Sequence, residues 1–407
     1  MPADTARRTL SPTAVIIAAG SVVVALSFGV RSVFGIVLDP MSTEFGWPRE
    51  IFSLSLAIQN MVWGLAQPFF GLIADRYGDR RALWLGLAVY LAGMALSALG
   101  VTPLMQHLGA GVFVGMGIAG TAFGLVLSVV GRAVSEEKRA RALALTAALG
   151  SLGQMSMPLI AAWLTQAYGW QTTIAVMALL LVPIAFCIPY LKAATPAGST
   201  ADPEVAIGTI VRRAFGHSSY VLLTLGFFVC GFHVAFMTVH LPVYVAEVCG
   251  SVALGAATLS IIGFANVIGT LLGGELAQRF PKPWILSAIY GLRAVVIFVF
   301  ITVPPSPLSA ILFSVVIGIL WLATVPLTSG LVATMFGPRA LGTLYGIVFL
   351  SHQVGSFLGV WIGGRVYDAT GGYDLVWYIA IALGILSAIV HLPVRDRPWS
   401  ASAPVAA

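Results

Sequence analysis

Two stretches of this chain, residues 82–131 and 142–191, carry no Asp, Glu, Lys or Arg over 50 residues each. A helix needs about 20 apolar residues to cross roughly 30 Å of hydrocarbon. Each stretch therefore predicts two membrane-crossing helices joined by a tight turn. Shorter charge-free gaps at 51–74, 214–246, 248–274, 340–364 and 375–394 fit one crossing each. The gap 294–338 fits the end of one helix and the whole of the next, and residues 12–38 form a first span with one arginine inside. The expected spans are 12–38, 51–73, 82–100, 104–131, 142–164, 170–191, 218–245, 252–274, 283–302, 308–332, 340–364 and 373–392. The fold class read from them is an all-α polytopic membrane protein with twelve transmembrane helices. The ten-residue alternation of a membrane β-barrel is absent. Only 9% of the residues are charged and 59% are hydrophobic, which excludes a soluble enzyme.

The basic residues predict an orientation. With both termini cytoplasmic, seventeen of the 21 Lys and Arg fall on the inner side, and only Arg49 and Arg365 fall outside. Arg31 and Arg293 lie within spans. The net charge of +6 then follows from topology and calls for no nucleic-acid partner. The first apolar run lacks a small-residue cleavage site, so it is expected to be retained. Cys187, Cys230 and Cys249 have no metal-ligand spacing, and two of them lie in helices, which argues against a disulfide framework.

The longest polar stretch, Lys192 to His217, separates six spans from six. It predicts an N-terminal bundle over 1–191, a cytoplasmic linker over 192–217 and a C-terminal bundle over 218–407. A short amphipathic helix near 205–215 fits the end of the linker. The halves repeat weakly: Gly71 and Gly273, 202 residues apart, stand in equivalent places at the ends of spans two and eight. Such repetition is common in secondary transporters, where a midplane site lies between two bundles that rock against each other.

The segment Gly71–Arg81, reading GLIADRYGDRR, resembles the signature loop of the major facilitator superfamily. The second copy is degraded, with Ala277 and Gln278 where the Asp-Arg pair stands. The likeness implies two six-helix bundles related by pseudo-two-fold symmetry. A narrower resemblance is to the monocarboxylate transporters and the related oxalate/formate exchanger group. It rests on FGVRSVFG (28–35), EFGWPRE (44–50) and GFHVAFMTVHLPVYV (231–245). In that group a lysine of span one binds substrate, and Arg31 stands at the matching place. An Asp and an Arg one turn apart are frequent in its span eight; here those positions are Asn266 and Thr270. The resemblance implies alternating access, with proton symport as the usual mode.

Several residues are candidates for the transport site. A charge within a span is costly and points to function, and a planar guanidinium suits a carboxylate. Arg31 and Arg293 are therefore expected to bind an anion, although Arg293 equally fits a cap on helix C-termini of the second bundle. His233 and His352 can bind an anion, carry a proton, or simply pack. Gln59, Asn60, Gln154 and Asn266 are neutral polar groups in apolar surroundings, expected to contact substrate or bond between helices. Asp75, Arg76 and Arg80 in the signature loop are expected to gate the cytoplasmic face. No metal site and no cofactor are expected, since HExxH and phosphate-binding GxxxxGK[ST] runs are lacking.

These features predict a secondary carrier of a small organic anion, such as lactate or pyruvate. It is placed in a bacterial inner membrane, among lipids and as a functional monomer. All fifteen acids sit in loops or near helix ends, which leaves proton symport, anion exchange and facilitated diffusion open. Efflux of amphiphilic compounds and a transport-inactive membrane sensor are the rival readings.

Overall fold

The computed structural model describes residues 11–192, 207–337 and 341–398. Among them, eleven helices are long and apolar enough to cross a membrane. The longest is two spans that turn at Gly169, whose φ of 83° is open to glycine at no steric cost. The twelve spans are α1 Pro12–Phe45, α2 Arg49–Tyr77, α3 Asp79–Leu99, α4 Pro103–Arg132, α5 (136–168) and α6 (170–190). The second set is α7 Ser218–Cys249, α8 Val252–Arg279, α9 Lys282–Thr302, α10 Pro307–Phe336, α11 Leu341–Thr370 and α12 Asp374–His391. The chain is thus an all-α polytopic membrane protein built from two six-helix bundles. Of the expected linker, 193–206 lies outside the described residues; its end forms a short helix, Ile207–Phe215, with Arg212 and Arg213 exposed.

Helix boundaries differ from the sequence expectation where proline or solvent intervenes. Span one runs past residue 38 to Phe45, bends at Val33, and stops at Gly46 in the left-handed region. Span ten breaks at Leu320–Ala323. Pro326 explains the break, because its ring lacks an N–H and clashes with the carbonyl four residues earlier. Span four contains a π-helical stretch at His107–Phe113 and an extended residue at Ala122.

Glycine sets the closest packing inside each bundle. A Cβ on Gly153 of α5 would lie 1.8 Å from the Ala25 carbonyl oxygen of α1. One on Gly355 of α11 would lie 2.0 Å from the Phe228 carbonyl oxygen of α7. The two glycines are 202 residues apart, the same spacing as Gly71 and Gly273, so equivalent helix pairs approach in the same way.

The bundles meet along α2 and α11, and along α5 and α8. On the face away from the cluster of Lys and Arg they are bonded together, as described below. Toward the basic face the described residues of α2 and α11 leave open space. Gly64 packs on Gln353 and Gly364 on Ser53, while Gly71, Gly342 and Gly346 meet nothing within 4 Å. The pair Arg132–Asp79, at 2.5 Å, stays within the first bundle, and Lys282–Asp396, at 3.1 Å, within the second.

Candidate functional site

Arg31 lies in the last turn of the straight part of α1, two residues before its bend, and is 9% exposed. Its Nη2 donates to Asn60 Oδ1 on α2 at 2.5 Å. Its guanidinium lies over the Trp63 ring, 5.1 Å from the centroid. Its Nε has no partner, and among the described residues no carboxylate pairs with it. Asn60 is itself positioned by donating Nδ2 to the Leu56 carbonyl at 2.8 Å.

From Asn60 the polar contacts cross into the second bundle. Gln353 on α11 donates Nε2 to the Asn60 carbonyl at 2.8 Å, and His352 Nδ1 lies 3.0 Å from Gln353 Oε1. The His352 side chain also meets the thiol of Cys230 on α7, and Arg293 Nη1 lies 3.8 Å from that sulfur. The two arginines within the spans are therefore the ends of one polar chain, not neighbours across one cavity. Arg293 is occupied locally. Its Nε donates to the Leu320 carbonyl at 3.0 Å and its Nη2 to both the Leu320 and Trp321 carbonyls. It thus caps the carbonyls freed by the break in α10, the second of the two roles its sequence position allowed.

The other candidates divide in the same manner. Gln154 lines a narrow crevice between the bundles with Ser32, Thr238, Ile262 and Trp321. Asn266 joins the bundles: its Nδ2 reaches Ser151 Oγ of α5 at 3.4 Å, and its Oδ1 accepts the Leu322 N–H of the α10 break at 3.0 Å. Gln59 turns into the first bundle and donates to the Ala110 carbonyl at 2.7 Å. His233 turns into the second, with Nε2 2.8 Å from the Ala380 carbonyl oxygen. Of the signature loop, Arg80 donates to the Pro189 carbonyl of its own bundle and exposed Arg76 lies over Tyr77. The side chain of Asp75 lies outside the described residues.

The sequence reading missed a cluster on the face opposite the basic one. Arg49, at the start of α2, pairs with Asp39 of α1 at 2.6 Å and with Glu247 of α7 at 2.5 Å. It also donates to Tyr373 Oη at 3.1 Å and lies over the Tyr367 ring. Asp368 of α11 accepts the backbone N–H groups of Arg49 and Glu50 at 2.9 and 2.6 Å. The first turn of α2, which Pro48 cannot cap with a side chain, is thus capped by the other bundle. Arg365 and Trp361 both donate to Glu50. The available signal was that Arg49 and Arg365 are the two basic residues on a side otherwise free of them.

Two six-helix bundles, locked together on one face and parting toward the other around a polar seam, define a membrane carrier rather than an enzyme. Residues 20–359 match the model of the Major Facilitator Superfamily. The chain belongs to that superfamily and is a secondary-active transporter of a small molecule. Its relatives are diverse. It is 26% identical to an uncharacterized MFS-type transporter, YcxA, of Bacillus subtilis, covering 90% of this chain and 91% of that one. It is 24% identical to human monocarboxylate transporter 11, covering 93% and 82%. It is 26% identical to the multidrug resistance protein MdtH of Cronobacter sakazakii, covering 87% of each. These relatives do not single out the monocarboxylate group. Among solved structures, a bacterial homolog of the human lysosomal transporter Spinster, inward-facing and occupied, superposes with a TM-score of 0.75. Its identity is 16%, over 95% of this chain and 98% of that one.

Proposed function

We propose that this protein carries small organic anions, with monocarboxylates such as lactate or pyruvate as substrates, across a bacterial inner membrane. The observation that carries the reading is Arg31. It is a buried guanidinium at the seam between the bundles, held by a neutral amide and an aromatic ring, with no carboxylate partner among the described residues. A buried cation that lacks an anion is a standing cost, and an anionic substrate supplies the complement. A planar guanidinium offers a carboxylate two parallel N–H donors. The monocarboxylate transporter among the relatives supports this class of substrate.

The rocking bodies are taken as 1–191 and 218–407, joined by 192–217, with the basic face and both termini in the cytoplasm. On that assignment the Arg49 cluster closes the outside and the cleft between α2 and α11 opens inward. Substrate leaves Arg31 through this cleft. Return to the outward-open state breaks the Arg49, Glu50 and Asp368 contacts, and brings the Arg76 and Arg80 loop toward the second bundle.

Uptake of C2–C6 carboxylates into proteoliposomes tests the reading. Saturable flux of short monocarboxylates in the wild type, lost in Arg31→Ala, is the expected result. Normal saturable flux in Arg31→Ala sinks it. A second reading, efflux of amphiphilic compounds, is favoured by the Trp63–Phe349 ring contact across the seam, by Trp321 in the crevice and by the MdtH relative. Transport of amphiphilic cations that small carboxylates do not inhibit selects that reading.

A further inference from the structure

We infer that His352 is the proton-carrying residue of this carrier, linked to the anion at Arg31 through Gln353 and Asn60; the inference rests on the anion reading above.

The polarity of the link follows from one end. The Asn60 carbonyl can only accept, so the Gln353 amide must present its NH2 group to it. Gln353 Oε1 therefore faces His352, and because that oxygen also only accepts, Nδ1 of the neutral ring carries the hydrogen. The second ring nitrogen, Nε2, holds the lone pair and is where a further proton binds. Transport of the proton forms and breaks a single bond, Nε2–H, with water on either side of the membrane as donor and acceptor.

The other histidines inside the spans of the second bundle are placed differently. His240 has both nitrogens engaged, by the Val360 carbonyl and Tyr373 Oη. His233 and His391 bond to the carbonyls of Ala380 and Ser387 within their own bundle. His352 alone among them touches a side chain bonded to Asn60, the residue that holds Arg31. The titratable group facing it is Cys230 from α7, with Arg293 and Tyr290 of α9 and Tyr345 of α11 around that thiol. α2 brings the neutral Asn60 and α10 the neutral Thr324, and the rings of Phe227 and Phe349 flank the imidazole. Arg212 and Arg213 of the surface helix packed on α11 are exposed at the basic face, and Tyr373 and Asp374 of α12 lie at the opposite end.

Among the described residues no Asp or Glu shares this region, where Arg31 and Arg293 are the fixed positive charges. A carboxylate on Arg31 cancels one of those charges and is then the anion linked to His352. Proton and anion then bind together and leave together when the seam opens.

The experiment uses the full-length protein in liposomes with radiolabelled pyruvate. Counterflow without a pH gradient reports anion exchange. Accumulation under an imposed gradient reports coupling, and one proton per anion gives about tenfold accumulation per pH unit. The expected result is that His352→Asn lowers the ratio of gradient-driven accumulation to counterflow to one, with the remaining counterflow independent of pH. Accumulation in His352→Asn that still follows the gradient overturns the inference. So does wild-type protein that exchanges pyruvate but never accumulates it. Wild-type protein that shows no counterflow with any monocarboxylate overturns the anion reading itself. If His352→Asn does not fold or does not exchange, nitrogen NMR of the wild type decides. The His352 ring is assigned through the Ser351–His352 peptide, the only serine–histidine step in the chain. Protonation of Nε2 on adding pyruvate at fixed pH supports the inference, and an unchanged ring overturns it.

Discussion

Gln353 of α11 donates to the backbone carbonyl of Asn60 of α2 at 2.8 Å, while the side chain of that same Asn60 accepts from Arg31 at 2.5 Å. One residue therefore joins the cation of the first bundle to the second bundle. Glutamine reaches the carbonyl because Gly64, one turn from Asn60, leaves room: a Cβ there would lie 2.7 Å from Gln353 Cγ. Gln353→Leu, close in size but without a donor, removes the bond between the bundles at a cost of about 0.5–1.5 kcal/mol, the Asn60 carbonyl keeping its helical partner. That loosens the seam in the state described here. Distances between spin labels on α2 and α11 should broaden in the variant, and an unchanged distribution would show that the bond does not hold the bundles.

Arg31 and Arg293 should separate by the kind of defect they cause. Arg31→Lys retains charge but loses the planar fork, and is expected to raise the apparent KM for pyruvate about tenfold or more, with little change in thermal stability. Saturation kinetics beside a melting curve in detergent checks both parts.

Arg293→Met removes the cap on the Leu320 and Trp321 carbonyls, which lie in the break of α10 where no helical donor serves them. Loss of those charge-assisted bonds is expected to destabilise the protein by about 2–4 kcal/mol. The expected signature is a lowered melting temperature, with an unchanged KM in whatever protein folds. A raised KM at normal stability would instead place Arg293 in the binding site.

The Arg49 cluster should control which face is open. Asp368→Asn weakens the cap on α2, and Glu247→Gln removes one of the two carboxylates on Arg49. Glu247 is partly exposed, which reduces what its pair contributes; Asp368, binding two backbone N–H groups, is expected to matter more. Each change should shift the population toward the outward-open state, by about 5–50-fold for a loss of 1–2.3 kcal/mol. Cysteine pairs across α2 and α11 near the basic face, tested by cross-linking, should then react faster.

Packing gives a paired test. Gly355→Ala drives a Cβ against the Phe228 carbonyl and should cost about 1–3 kcal/mol. Gly346→Ala, on the same helix with nothing within 4 Å, should be neutral or stabilise by up to about 1 kcal/mol through helix propensity. The melting temperature should fall in Gly355→Ala and hold or rise in Gly346→Ala.

Twelve spans, the division into two sixes and the repeat spacing of 202 residues were legible in the chain because hydrocarbon thickness acts on local composition. A run of 50 uncharged residues has to cross twice whatever surrounds it. The turn at Gly169 falls between two expected spans, whereas the break before Pro326 interrupts a stretch that reads as one span. What composition cannot carry is the direction of a side chain. Arg31 and Arg293 look alike in sequence, each a lone arginine in an apolar helix. The fold turns one toward the seam and the other onto the open carbonyls of α10. Arg49 meets Glu247 and Asp368 across 198 and 319 residues of chain, and Gln353 meets Asn60 across 293. Those encounters depend on the phase of each helix and on which helix lies beside it, quantities fixed by packing of the whole and by no local stretch of residues.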